Sequence, residues 1–524
     1  MRSSAIILGL LAASASTNAA PAALLDWFIA KDNELQSPII IEQQEIIKPL
    51  VDSEELQSYI NAEGLEARAN KLYSLAQKSQ KKYKHPTRVI GSKGHWSTIG
   101  YVMAELGKLG HYYNITTQPF HAFMGEIYNV SLIIDGVSPK EVIEMDLSPP
   151  TPGRKPVTGS LILVENEGCD ASDFPAEING NIALIKRGSC AFGDKSRNAG
   201  AAGAIAAIVY NNEPGSIRGT LGTPSGPEVA TLGLSKVEGE QYAQLLKDGK
   251  ALTAELLVDS FVGPIRTLNV IAETKIGDPE NIVMLGAHSD SVTAGPGIND
   301  DGSGTISLLE VATYLSNFTV NNKVRFAWWA AEEEGLLGSD YYVSQLSPEE
   351  NSKIRLFMDY DMMASPNFAY QVYNASNAYN PVGSEELKEL YIDWYESHGL
   401  NYTLIPFDGR SDYDGFIKNG IPGGGIATGA EVIKTPEEEE MFGGEAGISF
   451  DPCYHQLCDD LSNLNYTAFV TNTKLIAHSV ATYAKSFKGF PERENTTDAT
   501  TILLQNSEDA PINNFKYHGS KLIM

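Results

Sequence analysis

Positive charge is scarce in this chain: 39 Lys and Arg stand against 66 Asp and Glu over 524 residues, a net charge of −27. The deficit argues against a nucleic-acid partner and suits a soluble extracellular or vacuolar protein. Long apolar runs are also missing. The stretch from Ala5 to Ala13 is well short of the roughly 20 apolar residues that span a bilayer, and no later segment is long enough, so no membrane partner is expected. The pattern G-x-x-x-x-G-K-[ST] does not occur, and the tract GGGIATG at 423–429 reads as a strand and close-packed loop instead of a phosphate cradle. Cysteine is limited to four residues in two local pairs, Cys169 with Cys190 and Cys453 with Cys458. In an oxidising compartment each pair can close a disulfide, with crossed pairings left open.

What is present starts with a secretory pattern. Met1-Arg2, the apolar stretch and small residues of A-x-A character near Ala15 and Ala20 mark residues 1–19 as a signal peptide. Seven N-x-S/T sequons, at Asn114, Asn129, Asn317, Asn374, Asn401, Asn465 and Asn495, agree with a secreted, glycosylated, extracellular protein. The length calls for two or more domains. Residues 20–85 are helix-like and charged, with Ser53-Glu54-Glu55-Leu56 read as a capping box, and part of this segment is open to being a propeptide. Residues 124–265 change to short β-rich runs with Gly and Pro turns (YNVSLIID, GSLILVEN, NIALIKRGSC) and a Gly/Ala helix over SRNAGAAGAIAAIVYNN, the texture of an inserted domain. From LNVIAETK at 268, strands alternate with helices such as SGTISLLEVATYLSN, a βαβ pattern. One α/β catalytic domain over 86–123 and 266–487 follows. The polar stretch 488–524 reads as a disordered tail.

The chemistry sits at strand ends. IVMLGA stops at His288, VRFAWWAA at Glu332 and Glu333, and IRLFM runs into Asp359 and Asp361. In an open α/β sheet the carboxyl ends of parallel strands share one rim, so these side chains form a constellation. Asp300 and Asp301 follow His288 after a Gly-rich turn; one can return to the same rim and bridge two cations, while the other is solvated or caps the next helix. Adjacent side chains leaving a strand diverge, so one glutamate of Glu332-Glu333-Glu334 can ligate while the next faces substrate as a base. Asp361 and His455 complete a nitrogen and oxygen donor set without thiolate, which suits Zn²⁺ in a hydrolytic site.

Taken in order, AHSDSVTAGPGINDDGSG, RFAWWAAEEEGLLGS, DYDMMASPN, GRSDYDGF and CYHQLCD resemble the two-zinc aminopeptidases of peptidase family M28 over residues from about 268 to 485, and the inserted segment resembles a protease-associated domain. The resemblance implies a zinc-peptidase (phosphorylase/hydrolase-like) mixed sheet flanked by helices. It implies two zinc ions, His288 with Asp361 on one and Glu333 with His455 on the other, bridged by Asp300. Glu332 becomes the general base, and Tyr454 a hydrogen-bond donor to the oxyanion. Arg410 and Asp412 line the substrate pocket, and the three consecutive glutamates leave open a register shifted to Glu333 and Glu334. A monomer cleaving apolar N-terminal residues such as leucine from peptide substrates is the expectation. A carboxypeptidase would need a cluster of cations for a C-terminal carboxylate, where mainly Arg410 is found; a non-catalytic relative should have lost ligands, and all five are here.

Overall fold

Two strands of 22 residues, β1 (Tyr113–Ile134) and β8 (Thr253–Thr274), pair antiparallel from Tyr113↔Thr274 to Ile134↔Ala254 and form the spine of the molecule. The computed structural model describes residues 48–212, 217 and 219–493; the expected signal peptide, residues 20–47, the tail from 494 and the sequon Asn495 lie outside them. At one end of the spine, β8 leads through β3 (Val157–Leu163), β4 (Ile182–Lys186), β5 (Ala206–Tyr210), β7 (Thr231–Leu234) and β2 (Val142–Asp146) to β6 (Gly219–Thr220). At the other it leads through β10 (Asn322–Trp329), β9 (Asp278–His288), β11 (Ile354–Tyr360), β14 (Gly423–Ala427) and β12 (Gln371–Tyr373) to β13 (Thr403–Ile405). The ribbon passes residues 124 and 265 without a break, so one continuous pair of strands carries the inserted domain on the catalytic one.

Strands β9, β10, β11 and β14 run parallel to one another and are covered on both faces, which is why they read as near-continuous apolar runs. One face carries the helices Gly302–Leu315, Tyr466–Lys485 and Ala62–Ala76; the other carries Trp329, Tyr342, Phe357 and Phe416, with the Phe357 and Phe416 rings stacked at 3.7 Å. The start of Gly302–Leu315 sits tight beneath β11: a Cβ at Gly304 would lie 1.9 Å from the Tyr360 carbonyl oxygen. Glycine is required there by contact alone.

Several local readings need adjustment. Asp52, not Ser53, caps the helix Ser53–Ser58, because the Ser53 hydroxyl is engaged with His478 and Gln57. Asn61 caps a second helix, Ala62–Ala76, so the segment is broken between Ser58 and Ala62, and its Leu56, Leu65 and Leu72 are buried in the catalytic core. The Gly/Ala helix ends at Ala201, and the β-branched IAAIVY run supplies β5. The tail starts later than 488, since Phe490 is buried and Arg493 donates to the Asn351 carbonyl. Both local disulfides form, Cys169–Cys190 and Cys453–Cys458. Asn114, Asn129, Asn317, Asn374 and Asn401 are exposed, whereas Asn465 is half-buried and caps Tyr466–Lys485. Among the described residues no helix is long and apolar enough to cross a membrane.

Candidate active site

Parallel pairing brings the strand ends level. His288 stands opposite Trp329, and Asp359 opposite Gly286, so His288, the Glu332–Glu334 turn and Asp361 emerge on one rim. Their donor atoms make two clusters, His288–Asp300–Asp361 and Asp300–Glu333–His455, each with all its atoms within 4.8 Å of one another. His288 Nε2 lies 3.4 Å from Asp300 Oδ1 and 3.8 Å from Asp361 Oδ1; His455 Nε2 lies 3.1 Å from both Asp300 Oδ2 and Glu333 Oε2. Asp300 is common to both. Glu332 Oε2 borders the first cluster, 3.8 Å from His288 Nε2, and Glu334 belongs to neither.

The donors fit a cation better than they fit each other. Both ring nitrogens of His288, Asp361 Oδ1 and Glu333 Oε1 are buried with no hydrogen-bond partner. Each such group costs about 1–3 kcal/mol if left so, and a divalent ion satisfies several at once. Charge tells the same story. Burial pushes the Glu332 carboxyl well above the ordinary 4.5, opposed by His288 and reinforced by Glu333 and Asp412. Burial likewise lifts Asp361 to about 6. Burial would lower both imidazoles, but Glu332, Asp290 and Asp300 hold His288, and Glu333 and Asp300 hold His455, well above 6.5.

Residues outside the two donor clusters hold this geometry. The Asp301 carboxylate caps Gly302–Leu315 by accepting from Gly304 N–H at 2.8 Å, and also accepts from Met362 N–H and His288 N–H at 3.1 Å, so it ties three ligand-bearing segments together. Asp290 accepts from the N–H groups of Glu332 and Glu333, both at 3.4 Å. Asp459 accepts from Asn299 and Asp300 N–H at 2.9 and 3.0 Å, and burial beside Asp451 lifts it to about 8. Arg88, fully buried, donates to the carbonyls of Ser289, Pro296 and Gly297 and so clamps the loop that returns Asp300. Nothing local marks Arg88, which lies about two hundred residues upstream; Asp290 at least shares the AHSDS run.

Ala331, Leu336, Met362 and His455 all adopt positive φ, between 57° and 63°. For non-glycine residues this is a strained region, and such strain gathers where a site dictates backbone direction. The Cys453–Cys458 disulfide closes the short loop that holds Tyr454 and His455, whose rings stack at 3.8 Å.

Two cavities meet at this rim. One, of about 510 Å³, is lined by Asp300, Glu332, Glu333 and His455. The other, of about 850 Å³, is walled by Leu404, Ile405, Val432, Ile433 and Phe450. Asp361, Met362, Asp408, Arg410 and Tyr454 belong to both. Arg410 is paired with Glu431 at 3.0 Å. Asp412 lines neither cavity: it is 1 % exposed and accepts from Ser339 Oγ at 2.5 Å, while its neighbour Ser411 donates to Asp361 Oδ2 at 3.0 Å. The loop thus sends Arg410 to the cavity and turns Asp412 beneath it.

Comparison with known proteins agrees with this arrangement. Peptidase family M28 matches residues 269–480, and the PA domain family matches residues 157–242. Aminopeptidase Y of Saccharomyces cerevisiae is 52% identical over 488 residues, covering 91% of this chain and 88% of its own. Leucine aminopeptidase 2 of Trichophyton equinum is 46% identical over 453 residues, covering 86% and 89%. Among solved structures, the aminopeptidase from Aneurinibacillus sp. strain AM-1 superposes with a TM-score of 0.69 at 27% identity, covering 84% of this chain and 98% of that one. A zinc aminopeptidase from Bacillus subtilis gives 0.58 at 26% identity, covering 81% and 97%.

Proposed function

The chain belongs to peptidase family M28, a peptide-hydrolysing enzyme, and from that premise we propose that it is a secreted, monomeric zinc aminopeptidase releasing apolar N-terminal residues such as leucine. The observation that carries the reading is the pair of buried donor clusters sharing Asp300, with Glu332 alongside and an apolar cavity next door. His288 and Asp361 would hold one zinc, Glu333 and His455 the second, and Asp300 both. When bound, such ions act as Lewis acids that polarise the scissile carbonyl and acidify a water. Glu332 accepts the proton of the attacking water and returns it to the departing amine. Tyr454, kept protonated by burial, donates to the oxygen on which charge develops. Its replacement, Tyr454→Phe, should cost about 10²–10³-fold in kcat with KM little changed, measured by steady-state kinetics. The two disulfides and the exposed sequons support the secretory route.

A carboxypeptidase is not favoured. Among the described residues the cations lining the two cavities are Arg410, Lys418 and Lys434, and each is engaged, with Glu431, with Asp414, and with the carbonyls of Phe368 and Gly443. The test is hydrolysis of leucine p-nitroanilide and its N-acetylated form before and after chelation. Cleavage of the free amine alone, lost on chelation and restored by zinc, is the expected result; cleavage of neither by folded, zinc-loaded protein would overturn the reading.

A further inference from the structure

We infer that the inserted domain builds part of the pocket for the leaving peptide, with Thr220 selecting the residue that follows the scissile bond; the inference rests on the aminopeptidase reading. A carboxylate that hands a proton to the departing amine must face the departing side. Glu332 lines the cavity of about 510 Å³ and not the apolar one, so the N-terminal side chain enters the apolar cavity and the leaving chain crosses the smaller. On the catalytic side that cavity is lined by Gly335 and Leu336, just past the glutamate turn. Thr220 comes from β6, in the inserted domain, which contributes no residue to the two donor clusters.

The position of Thr220 is fixed by its own domain. β6 pairs with β2 at Met145↔Gly219 and Asp146↔Thr220, and Leu221 N–H donates to the Asp146 carbonyl at 2.8 Å. A Cβ at Gly219 would lie 2.4 Å from the Phe192 ring, so β6 rests directly on the inserted domain's own core. Thr220 is 6 % exposed, and its hydroxyl accepts from Gly222 N–H at 3.0 Å, a bond that would have to break for the side chain to swing aside for a bulky group. Peptides with a small residue in second position are therefore the better substrates, and the preference is set by a domain that supplies no ligand.

The experiment compares kcat/KM for leucinamide with kcat/KM for leucyl-phenylalanine, using the full zinc-loaded protein. In Thr220→Trp the ratio of dipeptide to amide should fall at least tenfold; in Thr220→Ala, which removes bulk and keeps the strand, it should rise at least threefold. A ratio unchanged within twofold in the folded Thr220→Ala protein would overturn the assignment, whatever becomes of the tryptophan variant. Failure of the unsubstituted protein to cleave either substrate would instead strike the aminopeptidase reading itself.

Discussion

Glu332→Gln should lower kcat by about 10²–10⁴-fold while the protein retains its zinc. Glutamine keeps the volume and the hydrogen-bonding oxygen but cannot take a proton. Glu332 is suited to this role because it stands outside both donor clusters yet within 3.8 Å of His288 Nε2, and because burial raises its carboxyl above the ordinary carboxylate range. Glu333→Gln should behave differently, since Glu333 Oε2 touches His455: zinc content should fall together with activity. Steady-state kinetics with metal analysis by atomic emission separates the two. If Glu333→Gln kept its zinc but lost activity while Glu334→Gln lost zinc, the register would be shifted by one, to Glu333 and Glu334. A Glu332→Gln enzyme working within tenfold of the original would remove Glu332 from the chemistry.

The ligands were legible in the sequence for a physical reason. A parallel strand buried on both faces is apolar along its length, so acids and histidines at its carboxyl end mark the sheet rim, and rims of adjacent parallel strands coincide. His288, Glu333 and Asp361 follow from that logic, and His455 from its place in a cysteine-bracketed loop. The supporting groups do not. Arg88 acts on backbone carbonyls of a loop far along the chain, and Asp459 on backbone N–H groups, so neither bears a pattern relating it to its target. The GRSDYDGF loop shows the limit from the other side: Arg410 and Asp412 are two residues apart, yet the turn into the helix Tyr413–Lys418 puts one on the cavity and buries the other against Ser339. The spine strands β1 and β8 were also hidden, because their alternating burial looks like several short strands with Gly and Pro turns, and only their pairing reveals one ribbon. Thr220 reaches the catalytic cavity from a domain whose sequence texture announces nothing catalytic.

Asp300→Asn should empty both metal sites together. Its two oxygens face different histidines, Oδ1 toward His288 and Oδ2 toward His455, and the amide replaces one of these acceptors with a donor. His288→Ala or Glu333→Gln removes a ligand from one cluster only, so those variants should keep about one zinc where Asp300→Asn keeps none. Heat stability gives an independent reading. Zinc at a thousandfold excess over its dissociation constant adds about 4 kcal/mol to a folded state that alone binds it, so the unsubstituted protein should melt higher with zinc and Asp300→Asn should not respond. The pH dependence has a definite sign. In metal-free protein His288 and His455 are held well above their ordinary value, so zinc must displace protons from both, and loading should weaken as pH falls and release protons as it proceeds. Titration calorimetry in two buffers of different ionisation enthalpy counts those protons. A zinc affinity flat from pH 5.5 to 8 would show that zinc displaces no protons from the histidines, and an Asp300→Asn protein still holding one equivalent would show that the two clusters do not share Asp300 in the way their geometry requires.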